Sequence, residues 1–313
     1  MTSKPQFGGE KVKLGDVCTL VLGQSPISST CNACGQGLPF FQGNADFGRI
    51  NPEATSWCTE PKKIAEPGDI LLSVRAPIGA VNIALEKCCI GRGVAAIRPN
   101  SRIIQTGYLK HVLVSYRSHL ETKGTGSIFK AIGKKVLSEF EIPICSLNGQ
   151  SQIENQLNQI LDCIENCKME IEQLDQLVKS RFVEMFDSIV DNPKCWQTLP
   201  LSIAAPVDYK AFPEEDRVWQ LNLDAVESMS GSVFSKTYAE AAELKGSIGG
   251  FDSSQVLYSK LRPYLNKVVV PDSSGVCTTE LLPLSPLENV VNKVYLATAL
   301  RSSEFVTFAS NHS

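Results

Sequence analysis

Between residues 150 and 186 the apolar positions fall in a register that suits one kind of element. Ile153, Leu157, Ile160, Ile164, Cys167, Ile171, Leu174 and Val178 follow one another at alternating steps of four and three residues. These are the a and d positions of a heptad held for about four repeats. Glu, Gln, Asn, Asp and Lys fill most of the other positions, and neither Pro nor Gly interrupts the run. The pattern predicts one helix on the order of 55 Å long at ~1.5 Å rise per residue, stopped by Asp191-Asn192-Pro193. A stripe this narrow must bury itself against another long helix.

The flanks read differently. Ile70-Leu71-Leu72-Ser73-Val74 and Val94-Ala95-Ala96-Ile97 are short Val- and Ile-containing runs, bounded by Pro-Gly, Gly-Arg-Gly and Arg-Pro punctuation. They predict strands. A single amphipathic helix is expected over residues 107–120, with Leu109, Val112, Leu113 and Tyr116 on one face. The fold class is mixed α/β.

The second flank repeats the first at an offset of about 187 residues. Ile70-Leu71-Leu72-Ser73-Val74-Arg75-Ala76-Pro77 aligns with Val256-Leu257-Tyr258-Ser259-Lys260-Leu261-Arg262-Pro263, Lys13-Leu14 with Pro200-Leu201, and Tyr108-Leu109 with Tyr295-Leu296. The organisation this implies is a first module over residues 1–148, a long helix over 149–191 and a second module over 192–313. Ser313 falls opposite Gly126, so the second module is expected to be truncated, without a counterpart of residues 127–186 or their helix.

Charge is distributed unevenly. The whole chain carries −3, but residues 1–150 carry +6, residues 151–191 carry −6 and residues 192–313 carry −3. The first module is basic enough to approach phosphates, and the acidity lies mostly on the long helix. No secretory leader is visible in the polar first 13 residues, and no apolar run approaches the ~18–20 residues of a membrane span, so a cytoplasmic protein without membrane contact is expected. Eleven scattered cysteines then read as free thiols in a reducing compartment. Cys31-Asn32-Ala33-Cys34 has zinc-ligand spacing, and Cys58, Cys88 or Cys89 could complete a set, but no second Cys-x-x-Cys exists. No metal and no cofactor is expected.

Catalytic patterns were sought and not found. There is no Asn/Asp-Pro-Pro-aromatic element, since Asn51-Pro52 and Asn192-Pro193 lack the second proline, and no phosphate loop of the Gly-x-x-x-x-Gly-Lys-Ser/Thr type. His111, His119 and His312 have no evident nucleophile partner. Gly124-Thr125-Gly126 is half of a nucleotide fingerprint, outside the strand–helix setting it requires. The chain is expected not to be an enzyme.

Three stretches resemble the specificity subunits of type I restriction-modification systems. They are Lys13-Leu14-Gly15-Asp16-Val17; Glu66-Pro67-Gly68-Asp69-Ile70-Leu71-Leu72-Ser73 with Ile78-Gly79; and the run from Gly126-Ser127 through Leu137-Ser138-Glu139-Phe140-Glu141-Ile142-Pro143-Ile144 to Gln150-Ser151-Gln152-Ile153. The second module resembles another branch of that family at Val218-Trp219-Gln220-Leu221-Asn222-Leu223-Asp224 and over residues 257–267. The resemblance implies two target-recognition domains that each read half of a bipartite double-stranded DNA site. It also implies helices that space the readers and dock methyltransferase and restriction subunits. The competing reading is a non-catalytic coiled-coil interaction protein, or a recombination-derived specificity fragment without productive DNA reading.

A DNA reader needs amide or guanidinium groups at base edges and Lys, Ser or Thr at phosphates. Candidates in the first module are Gln42, Asn44 and Arg49 in a glycine-containing loop, Arg75 after a strand, and Lys123, Thr125, Ser127 and Lys130 in a glycine-containing turn. In the second module they are Lys260, Arg262, Tyr264, Asn266 and Lys267.

The stripe of Ile153, Leu157, Ile160, Ile164, Ile171, Leu174 and Val178 generates the first prediction. Each such side chain gains roughly 1.5–3 kcal/mol on burial, so the isolated chain is expected to self-associate through it. Sedimentation at micromolar concentration should show an assembly larger than a monomer, and Ile164→Lys with Ile171→Lys should dissociate it by forcing charge into the seam.

Overall fold

The strand Ile70–Ser73 is buried along its whole length, which is why it reads as an unbroken apolar run rather than an alternating one. In the computed structural model, which describes residues 10–125, 130–244 and 246–312, its residues divide between two cores. Ile70 and Leu72 join Leu14, Ile97, Leu109, Leu113 and Leu120. Leu71 joins Phe41, Ile90, Val94 and Ala96 on the other face. Each fully buried Leu or Ile contributes roughly 1.5–3 kcal/mol, so this one strand ties both layers together.

The chain forms two compact units, Met1–Cys167 and Lys168–Ser313. Both are mixed α/β. In the first, an antiparallel sheet runs in the order Cys18–Leu22, Val94–Pro99, Ile70–Ser73, Val81–Ile83. A second, five-stranded sheet runs in the order Cys31–Asn32, Trp57–Cys58, Leu38–Phe41, Cys88–Ile90, Ile64–Ala65. It contains one parallel pair, with Phe40 opposite Cys89 and Phe41 opposite Ile90.

The second unit repeats the centre of this plan with one strand fewer in each of the two sheets, three and four in place of four and five. Strand Val256–Ser259 lies between Val268–Val269 and Leu281–Leu284, as Ile70–Ser73 lies between Val81–Ile83 and Val94–Pro99. Arg217–Leu221 pairs in parallel with Gly275–Thr278, matching Leu38–Phe41 and Cys88–Ile90. Helices Leu14–Val17, Thr106–Ser115 and Arg117–Lys123 correspond to Leu201–Ala204, Lys293–Arg301 and Ser303–Asn311, at offsets of 186 or 187 residues. The likeness reaches single hydrogen bonds. Ser73 and Ser259, both buried at strand ends, donate their hydroxyls to the carbonyls of Arg75 (2.9 Å) and Leu261 (3.0 Å), two residues on. Asp69 and Gln255, each just before its strand, accept from the backbone N–H three residues back, that of Glu66 (2.8 Å) or Asp252 (3.1 Å).

The single helix expected over residues 107–120 is two helices, Thr106–Ser115 and Arg117–Lys123. Tyr116 takes ψ of 8° and leaves helical geometry, with its ring edge-on against Phe140 at 5.8 Å. The second unit breaks at the equivalent place, where Ser302 caps Ser303–Asn311 by accepting from the Phe305 N–H.

The long helix runs over Leu147–Phe186, 40 residues. Its start is held in the first unit by Gln150, which is fully buried and fully paired. Its Oε1 accepts from the Gln105 N–H at 2.8 Å, and its Nε2 donates to the carbonyls of Ile103 (2.9 Å) and Cys145 (2.8 Å). Ser151 and the Gln105 side chain exchange two further hydrogen bonds, and Ile153 packs on the core. Beyond that point the stripe is open. Leu157, Ile160, Ile164, Ile171, Leu174 and Val178 are all exposed.

Removing the Gln150 side chain takes a partner from three backbone groups, on half-buried Gln105 and Cys145 and on exposed Ile103, at about 1–3 kcal/mol for each that water does not reach. Gln150→Ala is therefore expected to destabilise the first unit by at least about 2 kcal/mol, read as a lowered urea midpoint. Gln152→Ala, at an exposed neighbour, should stay within about 0.5 kcal/mol.

Candidate nucleic-acid interface

Three loops of the first unit leave the carboxyl ends of strands from both sheets and meet around one cleft. They follow Phe41, Ser73 and Ile90. The cleft has a volume of about 580 Å³, and Gln42, Asn44, Arg75 and Arg92 border it together with Ser25 and Thr55. Hydrogen bonds across the loops fix its walls. Gly91 N–H donates to Phe41 O (2.8 Å), Gly93 N–H to Gln42 O (3.0 Å) and Val74 N–H to Gly93 O (2.8 Å). Asp46, which also lines the cleft, accepts from the N–H groups of Gln42 (2.6 Å) and Gly43 (3.1 Å) through one carboxylate oxygen, Oδ2, which turns the loop back on itself.

The Arg75 loop is fixed from below. Ser73 donates to the carbonyls of both Arg75 and Pro77, and Arg75 bridges Ala131, which also bridges Thr125. This brings Arg75, Thr125 and Lys130 to one place, with Lys123 closing the helix just before Thr125. All four are exposed. Below the strand, Arg98 grips Asp69 through two 2.8 Å bonds, and this pairing raises the guanidinium pKa further.

The other sequence candidates divide. Gln42, Asn44 and Arg75 share the cleft. Arg49 is outside it, exposed and paired with Glu165 at 3.2 Å; an exposed pair of this kind contributes little and leaves the guanidinium accessible. Ser127 lies outside the described residues. In the second unit Lys260, Arg262 and Tyr264 are exposed.

Two candidates there are committed to the fold instead. Asn266 is 6% exposed and donates to the Arg301 carbonyl at 2.9 Å, in the left-handed conformation at φ 48°. Lys267 donates its Nζ to the Leu223 carbonyl at 2.8 Å. Asn266 is thereby turned away from solvent, while Lys267 is half-buried and keeps further donors on its Nζ. Sequence reading put them at the surface because the turn after Ser259 looks open; the turn folds inward through a short helix, Pro263–Leu265.

Arg92 was missed. Its signal was in view as Gly91-Arg92-Gly93, read only as loop punctuation.

Cys31, Cys58 and Cys89 converge in the first unit, with Cys58 and Cys89 packed on Phe40. Among the described residues no group of three or more His, Cys, Asp or Glu side chains could hold a metal. Also among the described residues, no helix is long and apolar enough to cross a membrane.

Residues 8–176 match the family model of the type I restriction modification DNA specificity domain. The chain belongs to this family. It is 41% identical over 172 residues to a putative type I restriction enzyme MjaX specificity subunit of Methanocaldococcus jannaschii, a match covering 54% of this chain and 40% of that protein. It is 22% identical over 337 residues to the type I restriction enzyme EcoDI specificity subunit of Escherichia coli, covering 96% of this chain and 72% of that one. The fold is shared with the S subunit of a type I restriction-modification system from M. genitalium, at a TM-score of 0.60 and 14% identity, over 100% of this chain and 81% of that structure. The chain thus spans less than half the length of the MjaX relative.

Burial governs the thiols of this family member. It pushes Cys18, Cys88, Cys89 and Cys277 up to about 12. At pH 8 such a thiol is ionised to about one part in ten thousand, and only the thiolate is alkylated. Iodoacetamide on the native chain should label exposed Cys34, Cys163 and Cys195 and spare those four until denaturant is added. Mass spectrometry of the peptides checks the order.

Proposed function

We propose that this chain is the sequence-reading subunit of a type I restriction-modification assembly. Its first recognition domain (1–148) and second recognition domain (192–313) each contact one half of a bipartite double-stranded DNA site, and the segment 149–191, most of it in the helix Leu147–Phe186, carries the docking surface for methyltransferase and restriction subunits. The chain itself holds no catalytic group, requires no cofactor and works in the cytoplasm. The observation that carries this reading is the cleft on the first unit. It gathers two amide side chains and two arginines at strand ends, in a segment of net charge +6, within a family described as DNA specificity domains.

The groups suit the two tasks of such a surface. Amides and guanidinium forks match the donor–acceptor pattern of base edges, and Arg75, Lys123, Thr125 and Lys130 form a cationic rim for phosphates. In the second unit Lys260, Arg262 and Tyr264 supply the corresponding surface.

The test is the salt dependence of binding. Affinity for duplex DNA should fall steeply as salt rises from 50 to 200 mM, by about a thousandfold or more if six or so phosphates are neutralised. Arg75→Glu with Lys123→Glu should weaken binding to every sequence and flatten the slope by about two. Binding that is absent at low salt, or indifferent to both substitutions, overturns the reading. The chain alone should transfer no methyl group from S-adenosylmethionine.

A further inference from the structure

The link Gly91-Arg92-Gly93 joins strands Cys88–Ile90 and Val94–Pro99. Its backbone is bonded at both ends to the neighbouring loops, through Gly91 N–H to Phe41 O and Gly93 N–H to Gln42 O, and Val94 N–H closes it on Gly91 O at 3.0 Å. A side chain has no room at Gly93 and only tight room at Gly91. A Cβ on Gly93 would lie 2.3 Å from the Gln42 carbonyl oxygen, and one on Gly91 would lie 3.1 Å from the Gln42 Cα. The link is therefore a rigid mount for one exposed side chain.

Arg92 differs from the cations nearby. Lys123 and Lys130 sit with Arg75 on a rim of like charge, suited to phosphates. Arg92 shares the cleft with Arg75 and the Asp46 carboxylate, and the other polar groups that line it, among them Gln42, Asn44 and Thr55, are neutral. Among the described residues it has no ion pair or side-chain hydrogen bond to break before it meets a ligand. A planar guanidinium held on a stiff backbone fits the paired acceptors O6 and N7 of guanine in the major groove.

The second unit supplies a contrast. Its equivalent link is Thr279-Glu280, between Gly275–Thr278 and Leu281–Leu284. The Glu280 carbonyl accepts from the Lys260 N–H at 3.1 Å, just as that of Gly93 accepts from Val74. Glu280 is exposed. By this match Glu280 holds the place of Gly93 and Thr279 that of Arg92; a carboxylate in the link is repelled by phosphate and by guanine acceptors, and it accepts from the cytosine N4 amine.

We infer that this link is a base-reading turn in each unit, and that Arg92 confers a preference for guanine at one position of the site. The inference rests on the DNA-reading proposal above.

The experiment is selection from a randomised 30-base-pair duplex pool by the full chain, its Arg92→Ala and Arg92→Lys variants, and Arg75→Ala. The unmodified chain should enrich a motif with one guanine that Arg92→Ala releases, at a loss of about 10- to 100-fold in discrimination at that position. The rest of the motif and the salt slope should be kept. Arg92→Lys retains the charge without the fork and should also lose the preference. Arg75→Ala should weaken all sequences together and lower the salt slope by about one. If Arg92→Ala keeps the full motif while losing affinity uniformly, Arg92 is a phosphate contact and the inference fails, with the DNA-reading proposal intact. If the unmodified chain enriches no motif, that proposal falls and the inference with it. A matching circular-dichroism melt for each variant confirms that the fold is unchanged.

Discussion

A buried glutamine determines how the long helix begins. Gln150 has no contact with solvent, and each of its three hydrogen bonds ends on a backbone group: the Gln105 N–H and the carbonyls of Ile103 and Cys145. Where water does not reach them such groups must be paired. Gln105 also precedes helix Thr106–Ser115, so one side chain locks the entry of the long helix to the entry of a helix that packs on the central sheet. A slip by one residue would carry Gln150 about 100° around the helix axis and take that partner from all three groups. The rotation of the apolar stripe relative to the first unit is thereby set before the stripe begins.

The two units show which parts of this architecture are constrained. The strand buried along its length, the serine that turns the chain at its end and the polar residue that closes the turn before it recur in both. What differs is carried by the links. Gln42 follows its strand in one unit where Asn222 follows the matching strand in the other, and Arg92 stands where Thr279 stands. The scaffold positions the loops, and the loops hold the groups that meet a ligand.

Much of this was legible beforehand because the relevant patterns are periodic or repeated. The heptad seam predicts the long helix, and the offset of about 187 residues predicts a second unit built like the first. The helix break at Tyr116 was not legible, because nothing in residues 107–120 breaks the apolar periodicity, and the Phe140 ring that Tyr116 meets there comes from elsewhere in the chain. Asn266 and Lys267 were misplaced for a related reason. Their types are those of a surface, and only the path of the backbone through Pro263–Leu265 turns them inward. Arg92 was passed over because its flanking glycines have the same composition as any turn. Their purpose shows only when Gln42 is seen pressed against them.

The hydroxyl of Ser73 has one more implication. By holding the carbonyls of Arg75 and Pro77 it lets the loop keep its course without help from the Arg75 side chain, much as the glycines hold the course of the link around Arg92. Residues that maintain the fold and residues that face outward are then almost disjoint sets. Substitution in the second set leaves folding nearly untouched, so a lineage could wander through many sequence preferences at little cost in stability. On the proposed role in DNA reading, change is then restrained by which DNA sequences the chain reads rather than by what the polypeptide can fold.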